Sequence, residues 1–170
     1  TQTYLSPYGS SGIGGMKGSN MEFITVYENF YKELGESKKM VLSTSLNDVV
    51  TSRMMSIVVL NKKIYFQTDR TFRKYKQIKE NPQVSLCIDN IQMEGYCEQV
   101  GIPSDNAEFV DVYKKHFLNS YTRYSCLKNE RLFMMTPTFV EKWLYIDGIP
   151  YIETLDIVHR QYELRQYVGV

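Results

Sequence analysis

Few residues in this chain of 170 are suited to covalent or metal-based stabilisation. Three cysteines, Cys87, Cys97 and Cys126, are an odd number without CxxC spacing. This excludes a disulfide framework and points to buried thiols in a reducing, cytosolic setting. The two histidines, His116 and His159, have no cysteine or carboxylate at metal-ligand spacing, so no zinc site is expected. No apolar run approaches the roughly 20 residues of a membrane span, and no hydrophobic segment precedes a small-residue cleavage site. The motifs GxSxG, GxxxxGK followed by Ser or Thr, and GxGxxG are all absent, which removes the usual hydrolase, P-loop and Rossmann readings. Charge is also nearly balanced: 20 Lys and Arg oppose 19 Asp and Glu, so nothing global draws the chain to nucleic acid or membrane.

What is present is a hydrophobic content of 43% with 14% aromatics, enough for one packed domain. Residues 1–20 are rich in Gly and Ser and read as a flexible leader or an added extension, leaving 21–170 as a single domain. Phe23, Val26, Tyr27, Phe30, Tyr31 and Leu34 recur at helical spacing, with Gly35 as the stop, and predict an opening helix over 22–34. Strands follow at 40–46, 49–60 and 63–68, joined by Asn47-Asp48 and Asn61-Lys62. A polar helix runs from Arg73 to the residues before Pro82. Strands at 84–88 and 91–100 pair through Asp89-Asn90, and a second helix is predicted over 106–117. Residues 119–130 read as a polar connection. Thr136-Pro137 separates two further strands, 131–135 and 138–146, and the tail from Tyr151 is ambiguous between extended and helical. The pattern predicts a mainly β, α+β fold: six or seven antiparallel strands in a small barrel with helices at the margins.

The most unusual stretch is TDRTFRKYKQIKENP (68–82), which gathers five cations between Arg70 and Lys79. Arg73 and Lys74 fall in the first turn of the helix, where the helix dipole disfavours cations by about 0.3–1 kcal/mol each. A solvated helix face is one reading. The other is an anion site, because a helix N-terminus after a strand offers free N–H groups, and Thr68 adds a hydroxyl. Arg53, inside the strand VVTSRMMSIVVL, either faces solvent or meets a fixed anion. Trp143, the single tryptophan, shares a strand face with Phe139 and Glu141 and reads as a core or dimer-interface anchor. No acid/base pair stands out, so any chemistry would belong to a bound molecule.

In order along the chain stand Arg53-Met54, Thr68, Arg73-Lys74 with QIKENP behind them, a strand containing Gly95, and PTFVEKW. Over residues 22–146 this resembles the FMN-binding split-barrel family typified by pyridoxamine 5′-phosphate oxidase. The resemblance implies that Arg53 and Met54 meet the FMN phosphate and ring, with Met55 and Ser56 continuing the contact strand. It implies that Thr68, next to Gln67, contacts the cofactor and that Arg73 and Lys74 grip its phosphate. It also implies a homodimer in which Trp143 reaches the cofactor from the other subunit. Two departures qualify the likeness. Phe72 stands where the family has a serine, and Ile149, Tyr151 and Glu153 stand near the places of the oxidase's substrate-binding Arg and His and of a further FMN-binding Arg. The resemblance therefore implies a related FMN-dependent oxidoreductase of unassigned substrate and donor, of the flavin reductase or nitroreductase kind, with NAD(P)H among the candidate donors. The alternatives are a non-enzymatic flavin or haem carrier on the same barrel and an OB-like module binding nucleic acid through its basic helix.

Overall fold

The computed structural model describes residues 16–17 and 20–169. Among the described residues, nine strands form one antiparallel sheet: β1 (Met16–Lys17), β2 (Ser37–Leu46), β3 (Val49–Leu60), β4 (Lys63–Asp69), β5 (Gln83–Ile88), β6 (Ile91–Gln99), β7 (Glu130–Ile146), β8 (Ile149–Asp156) and β9 (Gln161–Gln166). Their order is β1-β9-β8-β7-β4-β3-β2-β5-β6, and β6 also pairs with β7. That last pairing closes β2 to β7 into a six-stranded barrel, from which β8 and β9 extend. The helices are α1 (Asn20–Leu34), α2 (Arg73–Glu80), α3 (Ala107–His116) and α4 (Leu118–Tyr124). None of the described helices is long and apolar enough to cross a membrane.

Tight hairpins set the registers. Asn47-Asp48 and Asn61-Lys62 both have positive φ at their two residues, as a type I′ turn requires. Asp147-Gly148 does the same between β7 and β8. Helix α1 stops at Gly35, whose φ of +78° lets its N–H return to the Tyr31 carbonyl at 3.1 Å. One core fills the barrel and continues under α1, with Phe23, Met40, Leu42, Ile57, Ile64, Phe66, Leu86 and Met93 almost fully buried. A smaller cluster of Val58, Phe109, Tyr113 and Leu132 packs α3 on the outer side of β3, β4 and β7.

Several sequence expectations are corrected. Asn20 already belongs to α1, and Met16–Lys17 pairs with β9, so the expected leader does not extend to residue 20. Its residues 1–15, 18 and 19 lie outside the described residues. The polar connection at 119–130 contains α4, which sets Tyr121 against the smaller core cluster. The ambiguous tail is the β8–β9 hairpin, held to the barrel by buried Leu155 and Tyr162. The two late strands form one 17-residue strand, β7.

Pro137 does not break β7, because a bulge accommodates it. The β6–β7 register shifts between Glu94 and Gly95, so Glu94 opposes Phe139 and Gly95 opposes Pro137, leaving Thr138 extra. Bulges are where a residue without an N–H is tolerated in a sheet. Gly95 is needed for the close approach: a Cβ there would lie 2.4 Å from the Thr136 carbonyl oxygen. The bend lets β7 leave β4, which it pairs over residues 130–135, and join β8 over 139–146. Gly95→Ala is therefore expected to destabilise the fold by about 1–3 kcal/mol through overpacking against backbone, measurable by urea denaturation.

The barrel is open along one seam. Strands β2 and β3 pair over ten residue pairs, from Ser37–Val58 to Leu46–Val49, whereas β3 and β4 pair over only three, from Val58–Tyr65 to Leu60–Lys63. Beyond Val58 and Tyr65 the two strands diverge, and α2 begins just past the free end of β4.

Candidate functional site

Alternation along β3 sends Thr51, Arg53, Met55 and Ile57 to the inner face and Ser52, Met54 and Ser56 to the outer. Met55 is buried in the core, while Met54 is 60% exposed. The expected Arg53-Met54 pair is thus divided between two faces, and Met55, expected to continue the contact strand, has its side chain in the core and can reach the open seam only through its backbone. Arg53 sits at the mouth of the barrel, donating from Nη1 to the Leu42 carbonyl at 3.2 Å and to Thr44 Oγ1 at 2.9 Å. Its Nη2 donates to Thr51 Oγ1 at 2.5 Å. Both threonine hydroxyls donate on to Gln77 Oε1, at 2.7 and 2.9 Å. This buried polar chain ties the arginine to α2 and aims it, since each member has a partner. Thr44, Thr51 and Gln77 were not legible as site residues, because no local signal marks three neutral side chains that converge from separate elements.

Helix α2 brings Arg73 and Lys74 to the same mouth. Its N-cap is Phe72, which offers no side-chain cap, and its first turn holds no acid. Lys74 Nζ lies 5.3 Å from the centroid of the Phe72 ring, so the ring in the family's serine position supports the neighbouring ammonium. Burial lowers the Arg53 pKa, and the Arg73 charge adds to the effect. Burial likewise lowers that of Lys74, as does Arg53, while Glu130 opposes the shift. Among the described residues, no ion pair involves Arg53, Arg73 or Lys74. Partly buried Arg53 and Lys74 therefore share the mouth with exposed Arg73, and no ion pair among the described residues neutralises any of the three.

Thr68 is 3% exposed, and its Oγ1 is a buried hydroxyl with no hydrogen-bond partner. Such a group costs about 1–3 kcal/mol unless something satisfies it. Gln67 points to the opposite face of β4, where its Oε1 accepts from Ser125 Oγ at 2.7 Å. Gln67 and Thr68 therefore do not present their side chains to one ligand.

Glu130 is a residue the sequence reading missed; an acid at the head of an apolar strand carries no distinguishing signal. It is 6% exposed and directly opposes Asp69 across the β4–β7 ladder. Burial and the Asp69 charge push its pKa up to about 7, against the pull of Lys74.

Trp143 lies elsewhere. Along β7 it is thirteen residues from Glu130, about 40 Å of strand contour. It is 39% exposed and packs edge-on against Tyr145 and Tyr167. With Phe139, Glu94 and Glu141 it lines a groove of about 750 Å³ on the outer barrel face. Within one chain the structure does not bring Trp143 to the cations. Of the residues near the oxidase's lost arginines and histidine, Glu153 accepts from the Tyr162 hydroxyl at 2.9 Å and Ile149 is exposed.

A six-stranded barrel with one open seam is a split barrel, and here its mouth is cationic. The sequence model of the pyridoxamine 5′-phosphate oxidase family matches residues 27–144, and the chain belongs to that family. Solved structures agree on the fold. General Stress Protein 26 of Bacillus anthracis is 23% identical, with 78% of this chain and 95% of that one covered and a TM-score of 0.50. PhzG of Burkholderia lata is 13% identical, with 86% and 91% covered and a TM-score of 0.55. A pyridoxamine 5′-phosphate oxidase-related, FMN-binding protein of Nostoc punctiforme is 13% identical, with 85% and 94% covered and a TM-score of 0.51. No curated protein matches the chain.

Two stability predictions follow from the site. Thr68→Val removes an unsatisfied hydroxyl and should leave stability unchanged or raise it by up to about 1 kcal/mol, read by chemical denaturation. Glu130 has a folded pKa raised above its ordinary 4.5, so its contribution to stability is complete below that value and is lost as pH rises through about 7. Glu130→Gln should accordingly gain about 1–3 kcal/mol over the wild type at pH 8 and nothing at pH 4.5, read by urea denaturation at both.

Proposed function

We propose that this protein binds FMN as a homodimer and is an oxidoreductase passing hydride or electrons from a reduced donor, such as NAD(P)H, to a small molecule. The observation that carries this reading is the convergence of Arg53, Arg73 and Lys74, without a paired carboxylate, on the mouth of the split barrel. A terminal phosphate dianion neutralises such a set, and each charge-assisted contact contributes about 1.5–3 kcal/mol. The N–H groups of the first turn of α2 point the same way. The unpartnered Thr68 hydroxyl fits a ligand oxygen. Along the open seam, β3 residues 53–57 present main-chain N–H and C=O groups that β4 does not pair, as a heteroaromatic ring with donors and acceptors at its edge requires.

In this reading the protein binds and orients while the flavin, when bound, supplies the redox chemistry at its N5. Arg53 is pre-aimed by the Thr44–Thr51–Gln77 chain, so little side-chain entropy is lost on binding. Core residues Met55 and Ile57 exclude water from the inner side of the seam.

The dimer is supported by the distance of Trp143 from the cations and by apolar side chains left exposed at both places: Met54 on β3 is 60% accessible, and Trp143 and Tyr145 on β7 are 39% and 63% accessible. Vitamin B6 phosphates are disfavoured as substrates, because the groove beside Trp143 carries Glu94 and Glu141 rather than cations. Haem ligation has less support: the His116 and His159 rings are hydrogen-bonded to Glu36 and Asp156.

Purified protein should be yellow, release flavin on denaturation, and sediment at twice the 19.9 kDa chain mass. Arg73→Ala should weaken FMN binding roughly 10- to 150-fold by fluorescence titration. Unchanged affinity would place the phosphate elsewhere.

A further inference from the structure

The sheet face that carries Trp143 holds unpaired charge of the opposite sign to the mouth. Cross-strand pairing lines the face up: Ser85 opposes Glu94, which opposes Phe139, and Cys87 opposes Gln92, which opposes Glu141. Paired residues point to the same side, so β5 offers two small side chains where β7 offers Phe139, Glu141 and Trp143. That difference in height makes the groove of about 750 Å³, within the roughly 300–1,000 Å³ of small-molecule sites. Trp143 is fixed at its wall. Asn90, in the β5–β6 turn, donates from Nδ2 to the Trp143 carbonyl at 2.8 Å, and its own carbonyl accepts the Trp143 N–H at 3.3 Å. Tyr145 and Tyr167 hold the indole edge-on, with centroids at 6.1 and 5.3 Å. Asp89, Glu94 and Glu141 line the same groove, and no described lysine or arginine does. Among the described residues, no ion pair involves these three acids. Nor does any group of three Asp, Glu, His or Cys residues among them suit a metal ion. The positive charge that fits this groove is therefore carried by a body larger than a bare ion.

We propose that this groove binds a planar aromatic cation, its ring packed on Trp143 and Phe139 and its positive charge facing Glu94 and Glu141. The negative face of an aromatic ring attracts a cation, and a cationic heterocycle also stacks on it. Glu141 lies between Phe139 and Trp143 on one strand face, about 7 Å from each along β7. Rings and carboxylate therefore meet one ligand together. An anionic ring faces three acids instead, and a neutral ring gains the stacking alone. That such a cation is the small molecule left open in the flavin reading rests on that reading, in which Trp143 reaches the partner's mouth. The binding itself does not rest on it.

Trp143 is the only tryptophan of the chain, so its fluorescence reports on the groove directly. The test titrates N-methylquinolinium, quinoline and quinoline-4-carboxylate into the full chain at pH 8, one ring system in cationic, neutral and anionic form. Calorimetry gives the affinities, and quenching of Trp143 gives the location. The cation should bind saturably, about tenfold tighter than quinoline, quench Trp143, and weaken as salt is raised. The carboxylate should not bind. Glu94→Gln and Glu141→Gln should each lower the cation's affinity about two- to fivefold and leave that of quinoline unchanged. The wild-type comparison of the three probes needs no variant to fold. Equal affinity for the cationic and neutral rings, or no saturable binding of the cation, overturns the inference. FMN binding by a protein that ignores N-methylquinolinium overturns it and leaves the flavin reading intact. N-methylquinolinium binding by a protein that refuses FMN upholds the groove as a cation site and overturns its place in the flavin reading.

Discussion

Positive charge without a paired anion is the constraint around which the mouth of this barrel is organised. Arg53 is repelled by both Arg73 and Lys74 from backbone positions that the fold holds fixed, and among the described residues no ion pair relieves them. Left alone, such an arrangement costs stability through both repulsion and partial desolvation. The fold tolerates it because most of the support is neutral: threonine hydroxyls for Arg53, the Phe72 ring for Lys74, which also feels the Glu130 charge, and solvent for exposed Arg73. Neutral support orients a cation without cancelling its charge, so the charge remains available to a ligand.

The mouth exists because β3 and β4 pair briefly and then diverge. A barrel that closed this seam with a full ladder would pair the backbone of residues 53–57 and bury Arg53 in the core. The six-stranded closure is instead made by β6 with β7, and the bulge at Gly95 gives β7 the bend it needs to pair with β4, β6 and β8 in turn. One consequence is that β7 carries Glu130 at one end and Trp143 at the other. The residues that resemble the family's cofactor contacts are thus divided between two distant surfaces of one chain, which is the physical case for a two-fold assembly.

The departures from the family pattern lie at the cationic mouth and on the extension rather than in the barrel. Phe72 places a ring beside Lys74 where the resemblance expects a serine hydroxyl. Glu153 and Ile149 occupy β8, the strand that extends beyond the barrel, where the oxidase's arginines and histidine have no counterpart.

Much of this was legible in local sequence. Periodicity and turn dipeptides defined α1, β2 to β6, α2 and α3, because helical spacing and positive-φ turns are short-range properties. The clustering of Arg73 and Lys74 in an uncapped first turn was also readable, since the dipole penalty needs no tertiary knowledge. Four features required the folded chain. Pro137 reads as a break until a register shift on the opposite strand accommodates it. The β8–β9 hairpin has no decisive periodicity and is settled by the burial of Leu155 and Tyr162. The strand face of Arg53 depends on which side the core lies. The environment of Glu130 is made by Asp69 and Lys74, 61 and 56 residues away in sequence, and a pKa set by desolvation and opposing charges arises only when those elements pack together.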